Sequence, residues 1–234
     1  MANIMLRILH RCARGTNGIS PRAGTRRNAS HMNARRPAER ATFIDEIKNM
    51  KDLSWKTISS KYLFKDTWFT LRADTCETQE GKLISPYYVY EFPTWVIAVA
   101  LTEDGRFILE RQYRHALGLT NYELPGGCVD DTDPSLEAAV RRELLEETGY
   151  SFSEVEYLGK TSANPSTNNN WAHFYLATGG KLVQQQHLDH NEEIEIYLYT
   201  YDELKQLLRD NGIIQSMHVT ALFYALSRLG HMSY

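Results

Sequence analysis

The passage from Asn121 to Gly149 limits the possible folds of this chain more than any other. A short extended run, Asn121–Leu124, ends in Pro125-Gly126-Gly127, and the strongest helix-forming stretch of the sequence follows. Asp131, Thr132 or Asp133 is placed to cap that helix, and Pro134 suits its first turn. Ala138, Ala139, Val140, Leu144 and Leu145 favour it, and Gly149 ends it. The helix carries an acidic stripe. Glu143 and Glu147 are four residues apart, so their carboxylates stack on one face, and Glu146 lies beside them. Such like-charge neighbours destabilise an isolated helix by about a few tenths of a kcal/mol per pair. They also sit in the C-terminal half, where the helix dipole disfavours negative charge. A cation between them reverses the sign, and hard cations such as Mg²⁺ take oxygen ligands and combine carboxylates with substrate phosphates. Most glutamate-rich helices merely face water. What sets this one apart is its context: the Gly-Gly turn, the acidic loop after it, and Arg142 directly before Glu143.

The remaining chain predicts a mixed α+β domain. Trp55–Leu63, Trp68–Glu77 and Leu83–Glu91 are rich in Thr, Tyr, Val and Phe and are separated by turn residues, which predicts a three-stranded antiparallel meander. Trp95–Thr102 and Arg106–Tyr113 flank the hairpin signal Glu103-Asp104-Gly105. Val155–Thr161, Trp171–Ala177 and Glu195–Tyr201 read as further strands, with a polar loop from Asn164 to Asn170. Asp202–Asn211 and Ser216–Leu229, the latter capped by Ser216, read as helices. Strands and helices mix without a regular βαβ rhythm, so the expectation is α+β with a mixed sheet.

Charge is unevenly spread. Residues 1–40 hold nine arginines and a single acid, Glu39, leaving 17 basic and 28 acidic residues for the remainder. Residues 1–45 lack a sustained period and read as a disordered Arg-rich extension. The composition resembles an organellar transit peptide; alternatively the segment lies upstream of a natural start at Met32 or Met50. Scattered arginines without interleaved aromatics argue against a nucleic-acid-binding arm. No apolar run reaches the ~18 residues of a membrane-spanning helix, and the three cysteines (Cys12, Cys76, Cys128) form no disulfide or zinc framework. A cytoplasmic protein is expected. The domains expected are residues 1–45, a meander over 46–92, and a main domain over 93–234.

Gly127 through Tyr150 resembles the Nudix box, G-x5-E-x7-R-E-U-x-E-E-x-G-U, where U is a bulky aliphatic. Arg142–Gly149 matches at every defined position. The first half departs by one extra residue in the loop 130–134: Asp133 stands nearest the first glutamate, and no role is carried over to it. Tyr150 replaces the final aliphatic. Beyond the box, Leu109-Glu-Arg-Gln-Tyr-Arg114, Tyr122-Glu-Leu-Pro-Gly-Gly127, Asn164-Pro165 and Asn191-Glu-Glu-Ile-Glu195 resemble the ADP-ribose and nucleotide-sugar pyrophosphatase branch, as does the meander ahead of the box.

The resemblance implies a Nudix fold, a mixed sheet sandwiched by helices, and hydrolysis of a diphosphate bond with Mg²⁺ or Mn²⁺. It implies that Glu143 and Glu147 bind the metal, that Glu146 assists, and that the carbonyl of Gly126 is a further ligand. Arg142 would hold the box loop through a salt bridge. Arg114, with Arg111 helping, would contact substrate phosphates, and Glu192 on the late loop would act as general base, with Glu193 its neighbour and a box glutamate the alternative. The implied substrate is a small nucleotide such as ADP-ribose; GDP-mannose, a dinucleotide, and a sensor that binds without cleaving are the competing readings. Relatives with the meander pair or exchange their N-terminal strands, which implies a homodimer.

Overall fold

The computed structural model describes residues 50–67 and 69–232, so the reading of residues 1–45 as a disordered extension lies outside the described residues. Among the described residues, three antiparallel strands come first: β1 (Lys56–Lys65), β2 (Thr70–Glu77) and β3 (Leu83–Glu91), in that order. This is the meander read from the sequence. β1 is its free edge and is exposed along its whole length. β3 is tied to the following domain by the polar loop: Tyr90 donates to the Thr167 carbonyl at 2.7 Å, and Asn169 N–H returns to Tyr90 O at 3.2 Å. The two sheets belong to one compact unit that begins at Leu53.

The main sheet contains β4 (Trp95–Thr102), β5 (Phe107–Arg114), β6 (Leu119–Glu123), β7 (Gly126–Cys128), β8 (Tyr150–Ser151), β9 (Glu154–Thr161), β10 (Ala172–Leu182) and β11 (Ile194–Tyr199). Among the described strands of this sheet, β4 and β10 are the pair that runs parallel. The helices among the described residues are α1 (Leu136–Glu143), which runs into a π-helical turn at Leu144–Thr148, α2 (Tyr201–Arg209) and α3 (Ser216–Arg228). Strand alternation builds a core on each face of the sheet. Ile97, Val99, Leu101, Phe107 and Leu109 meet α2 and α3 through Leu204, Ala221, Leu222 and Ala225. Val96, Ala98, Ala100 and Ile108 meet Ala139, Val140 and Leu144 of α1 and its extension. The fold is therefore α+β, a mixed sheet between helices, as the sequence predicts.

One edge of β4 is shared, and this positions the site. β4 meets β5 only at Ala100–Ile108 and Leu101–Phe107, while nearer its start the same edge pairs with β7, from Trp95–Cys128 to Ile97–Gly126. β5 meanwhile pairs with β6 from Glu110 to Arg114. The two strands splay, and the chain crosses between them at Leu124-Pro125, where Ala98 N–H donates to the Pro125 carbonyl at 2.9 Å.

Some boundaries differ from the sequence reading. α1 is capped by Ser135, whose hydroxyl accepts Ala138 N–H at 3.1 Å. Asp133 cannot be the cap because its carboxyl closes a turn with Asp130 N–H at 2.9 Å and receives Arg142. Gln215 precedes α3 without a side-chain bond, and Ser216 lies inside the helix. β10 runs past Ala177 to Leu182 because Lys181 and Leu182 pair with β8.

His218 of α3 fixes the crossing. It is buried, and its Nδ1 accepts Leu124 N–H at 3.0 Å. Burial pushes its pKa down from 6.5 to about 4, against the pull of Glu123. The folded state therefore binds this proton less readily than the unfolded chain. The neutral ring's contribution is complete above the unfolded pKa and is lost as pH falls from 6.5 towards 4, an effect of about 3 kcal/mol. Asparagine keeps an acceptor near the Nδ1 position but does not titrate. In urea unfolding, the stability gap between wild type and His218→Asn should shrink by about that amount between pH 7 and pH 4. A gap independent of pH would show that the buried ring is not held neutral.

Candidate active site

The turn that follows β6 presents its backbone to the acidic end of α1. Glu147 is 6% exposed, and its Oε2 accepts the Gly126 N–H at 2.8 Å. Burial, then the charges of Glu110 and Glu143, raises its pKa well above the ordinary carboxylate range. Glu143 packs against the neighbouring glycine: a Cβ on Gly127 would lie 2.5 Å from Glu143 Oε1. A Cβ on Gly126 would lie 2.2 Å from the Val96 carbonyl, so the strand-to-strand approach itself requires glycine. The Glu143 pKa is pushed to about 7 by burial, which outweighs the attraction of Arg142. Glu146 and Glu147 sit on a π-helical turn that begins directly after Glu143, a geometry that recurs at functional sites.

Arg142 ties this turn to the box loop. Its guanidinium donates to Asp133 Oδ1 at 3.1 Å and Oδ2 at 2.9 Å, and to the Cys128 carbonyl at 3.0 Å. Nη1 reaches Glu146 Oε2 at 2.9 Å and Glu143 Oε1 at 3.2 Å. Asp133 is thus the loop acid that this arginine holds. Glu146 is drawn to Arg142 and stays 41% exposed, whereas Glu143 is 12% exposed. Two of the three predicted box carboxyls face the glycine turn, and the third stands at its rim.

β5 and β6 add residues that sequence reasoning did not single out. Glu110 and Glu123 are register partners, each 3% exposed. Arg114 forks onto Glu123, with Nε to Oε1 at 2.8 Å and Nη2 to Oε2, and Asn121 donates to Glu123 Oε1 at 2.9 Å. Burial raises the Glu123 carboxyl, but the arginine fork overrides it and leaves the pKa below the ordinary value. Glu110 has no such partner, and burial, together with the Glu123 charge, pushes it up to about 8. Its position carried a signal: two residues after Ile108, it falls on the core-facing side of β5, where a charge is costly.

Arg111 is not brought to this cluster. It pairs in register with Glu195 and Tyr122 and donates to Glu195 Oε2 at 2.9 Å, on the opposite face from Glu110 and Arg114. Glu192 lies on the loop before β11, where its Oε2 accepts Asp189 N–H at 3.0 Å. Its charge contributes to the raised pKa of Glu110, Glu143 and Glu147 alike. The start of the same loop is fastened to the π-helical turn. Gln186 Nε2 donates to the Glu147 carbonyl at 2.6 Å and to Ile194 O at 3.2 Å, and His187 N–H donates to Glu146 O at 2.8 Å.

Residues 92–219 match the NUDIX domain. The chain belongs to the Nudix family. Residues 55–90, which hold the meander, match the nucleoside diphosphate sugar hydrolase N-terminal domain. This Nudix chain is 30% identical to the methanol dehydrogenase activator of Bacillus methanolicus, over 72% of its own length and 91% of the relative. It is 27% identical to the ADP-ribose pyrophosphatase of Bacillus subtilis, over 75% and 94%. A solved structure titled ADP compounds hydrolase shares its fold with a TM-score of 0.68 at 22% identity, covering 78% of this chain and 98% of that one. The protein is a Nudix pyrophosphohydrolase.

Nudix hydrolases generally use divalent metal ions. Among the described residues, no three acidic, histidine or cysteine side chains form a finished ligand set. The donor chemistry nevertheless fits a hard cation: the carboxyls of Glu143 and Glu147 are crowded together, the first partly buried and the second buried, and Oε1 of Glu110 beside them has no hydrogen-bond partner.

The Gly127 contact yields a test. Gly127→Ala places a methyl group where the Glu143 carboxylate lies, and that flexible side chain can swing away. Turnover should fall about tenfold or more while the melting temperature moves by only a few degrees. Equal turnover in the variant would mean that the Glu143 position is immaterial.

Proposed function

We propose that this chain hydrolyses the diphosphate bond of a nucleoside diphosphate joined to a sugar, with ADP-ribose or a close relative as substrate and Mg²⁺, or Mn²⁺ in its place, as cofactor. The products are a nucleoside monophosphate and a sugar phosphate such as ribose 5-phosphate. The observation that carries this reading is the burial of Glu143 and Glu147 against the Gly126-Gly127 backbone, on the sheet face that also carries Arg114. The nucleoside diphosphate sugar hydrolase domain at residues 55–90 and the name of the Bacillus subtilis relative support the substrate class.

Glu143, Glu147 and the Gly126 carbonyl would hold the metal, with Glu146 assisting from the rim once released by Arg142. When bound, a divalent cation offsets the diphosphate charge and acts as a Lewis acid. Arg114 spends Nε and Nη2 on Glu123. Its Nη1 donors remain for a phosphoryl oxygen, a role suited to a planar guanidinium. Glu192 accepts the proton of the attacking water, and the loop bonds of Gln186 and His187 set its reach. Arg111, paired on the other face, serves Glu195 instead of phosphate. A sensor that binds without cleaving has no need for the buried box carboxyls.

The decisive experiment is product analysis of a nucleotide-sugar panel, with ADP-ribose and GDP-mannose in it, with and without Mg²⁺. Metal-dependent release of AMP and ribose 5-phosphate is expected. Glu147→Gln should lower turnover by orders of magnitude without loss of the folded circular dichroism spectrum; unchanged turnover would place the reaction elsewhere.

We propose further that the protein is a homodimer joined through β1. Edge strands with exposed apolar side chains pair with other chains, and Ile58, Tyr62, Leu63 and Phe64 are each about half exposed on this one. Sedimentation should give a dimer for wild type and a monomer for Ile58→Lys with Leu63→Lys; a monomeric wild type would dispose of the idea.

A further inference from the structure

Glu110 is a buried carboxyl in this cleft that the Nudix box and the late loop leave unexplained. Its place on β5 puts it on the face of Ile108, paired with Glu123 on one side and Ile196 on the other. It is 3% exposed. Its carboxyl meets that of Glu147, and its Oε1 is buried without a hydrogen-bond partner. The guanidinium on this face, Arg114, is forked onto Glu123. Asn121 Oδ1, on the same face of β6, is a second buried acceptor without a partner.

A carboxyl among aliphatic side chains and other carboxyls is expensive unless a cation or donors compensate it. An apolar residue at position 110 would continue the packing of Ile108 and Ile196 at no such cost. Apart from the Glu147 carboxyl, which meets one side of it, the donors in reach are committed elsewhere and leave Oε1 unpaired: Gly126 N–H serves Glu147, and Arg142 serves Asp133, Glu143 and Glu146. What remains is an oxygen acceptor beside Glu147, with the hard-donor chemistry that Mg²⁺ and Mn²⁺ take.

We propose that Glu110 is a further carboxylate of the divalent-cation site, supplied by the sheet, which holds the cation jointly with Glu147. This rests on the metal reading given above and adds one residue to it. Glu110 then has a role that its burial alone does not provide, and the metal stabilises β5 against the π-helical turn.

The test is Mn²⁺ binding by the full chain without substrate, followed by calorimetry and by the electron paramagnetic resonance of free Mn²⁺. Glu110→Gln and Glu110→Leu should each weaken Mn²⁺ affinity by about tenfold or more. The metal-induced rise in melting temperature should shrink, and the metal-free variants should melt at or above the wild type. Leucine matches the aliphatic surroundings, so it decides the matter if the glutamine variant fails to fold. Wild-type Mn²⁺ affinity in either folded variant overturns the proposal for Glu110 while leaving the box carboxylates as ligands. Wild-type protein that takes up no Mn²⁺, and does not differ from Glu147→Gln in this assay, overturns the metal reading itself and Glu110 with it.

Discussion

The hydrogen bond from Gly126 N–H to Glu147 joins the two halves of the candidate site. It draws a carboxyl out of water and aims it at a backbone turn, and it requires that β7 come close to β4. The approach leaves no room for a side chain at Gly126, where a Cβ would meet the Val96 carbonyl at 2.2 Å. It also needs the splay of β4 from β5, since only a strand released from β5 can pair with β7 at Ile97. His218 holds the intervening Leu124 N–H, so a helix on the far side of the sheet helps to set the position of the cleft backbone.

Electrostatics then gives the arrangement its direction. Each guanidinium at the site already has carboxylate partners: Arg142 clamps the loop acid Asp133 and touches Glu143 and Glu146, and Arg114 is locked to Glu123. Glu147 and Glu110 are left with a glycine amide and each other. A structure selected only for stability would place apolar groups there, because buried ionisable groups rarely repay their desolvation. In the proposed reaction, the metal and the diphosphate would bring the charge that compensates these carboxyls.

How much of this was legible depended on sequence distance. Glu143, Glu147 and Arg142 lie on one helical stretch, so a local spacing rule put them together. The meander was legible from composition and turns. Glu110, Glu123 and Asn121 come together through strand register, which a local spacing rule does not give. Alternation within one strand would have sorted the arginines, however: residues three apart on a strand point to opposite faces, so Arg111 and Arg114 cannot both face one cleft without a bulge. The helix cap was misplaced because Asp133 has the right chemistry for a cap, and only the long-range pull of Arg142 shows where its carboxyl goes.

The loop from Val183 to Glu193 shows how the turn that bears the box carboxyls and the proposed base share one frame. The π-helical turn ends at Gly149, and its last carbonyls need partners outside the helix. They find them in this loop: Val183 N–H reaches Gly149 O at 3.0 Å, His187 N–H reaches Glu146 O, and the Gln186 side chain reaches Glu147 O. The second bond of Gln186, to Ile194 O, closes the loop on the start of β11. These bonds tie the turn that carries Glu147 to the segment that carries Glu192. The wider turn thus exposes carbonyls that recruit the loop, while its other face buries the carboxyl that meets Gly126.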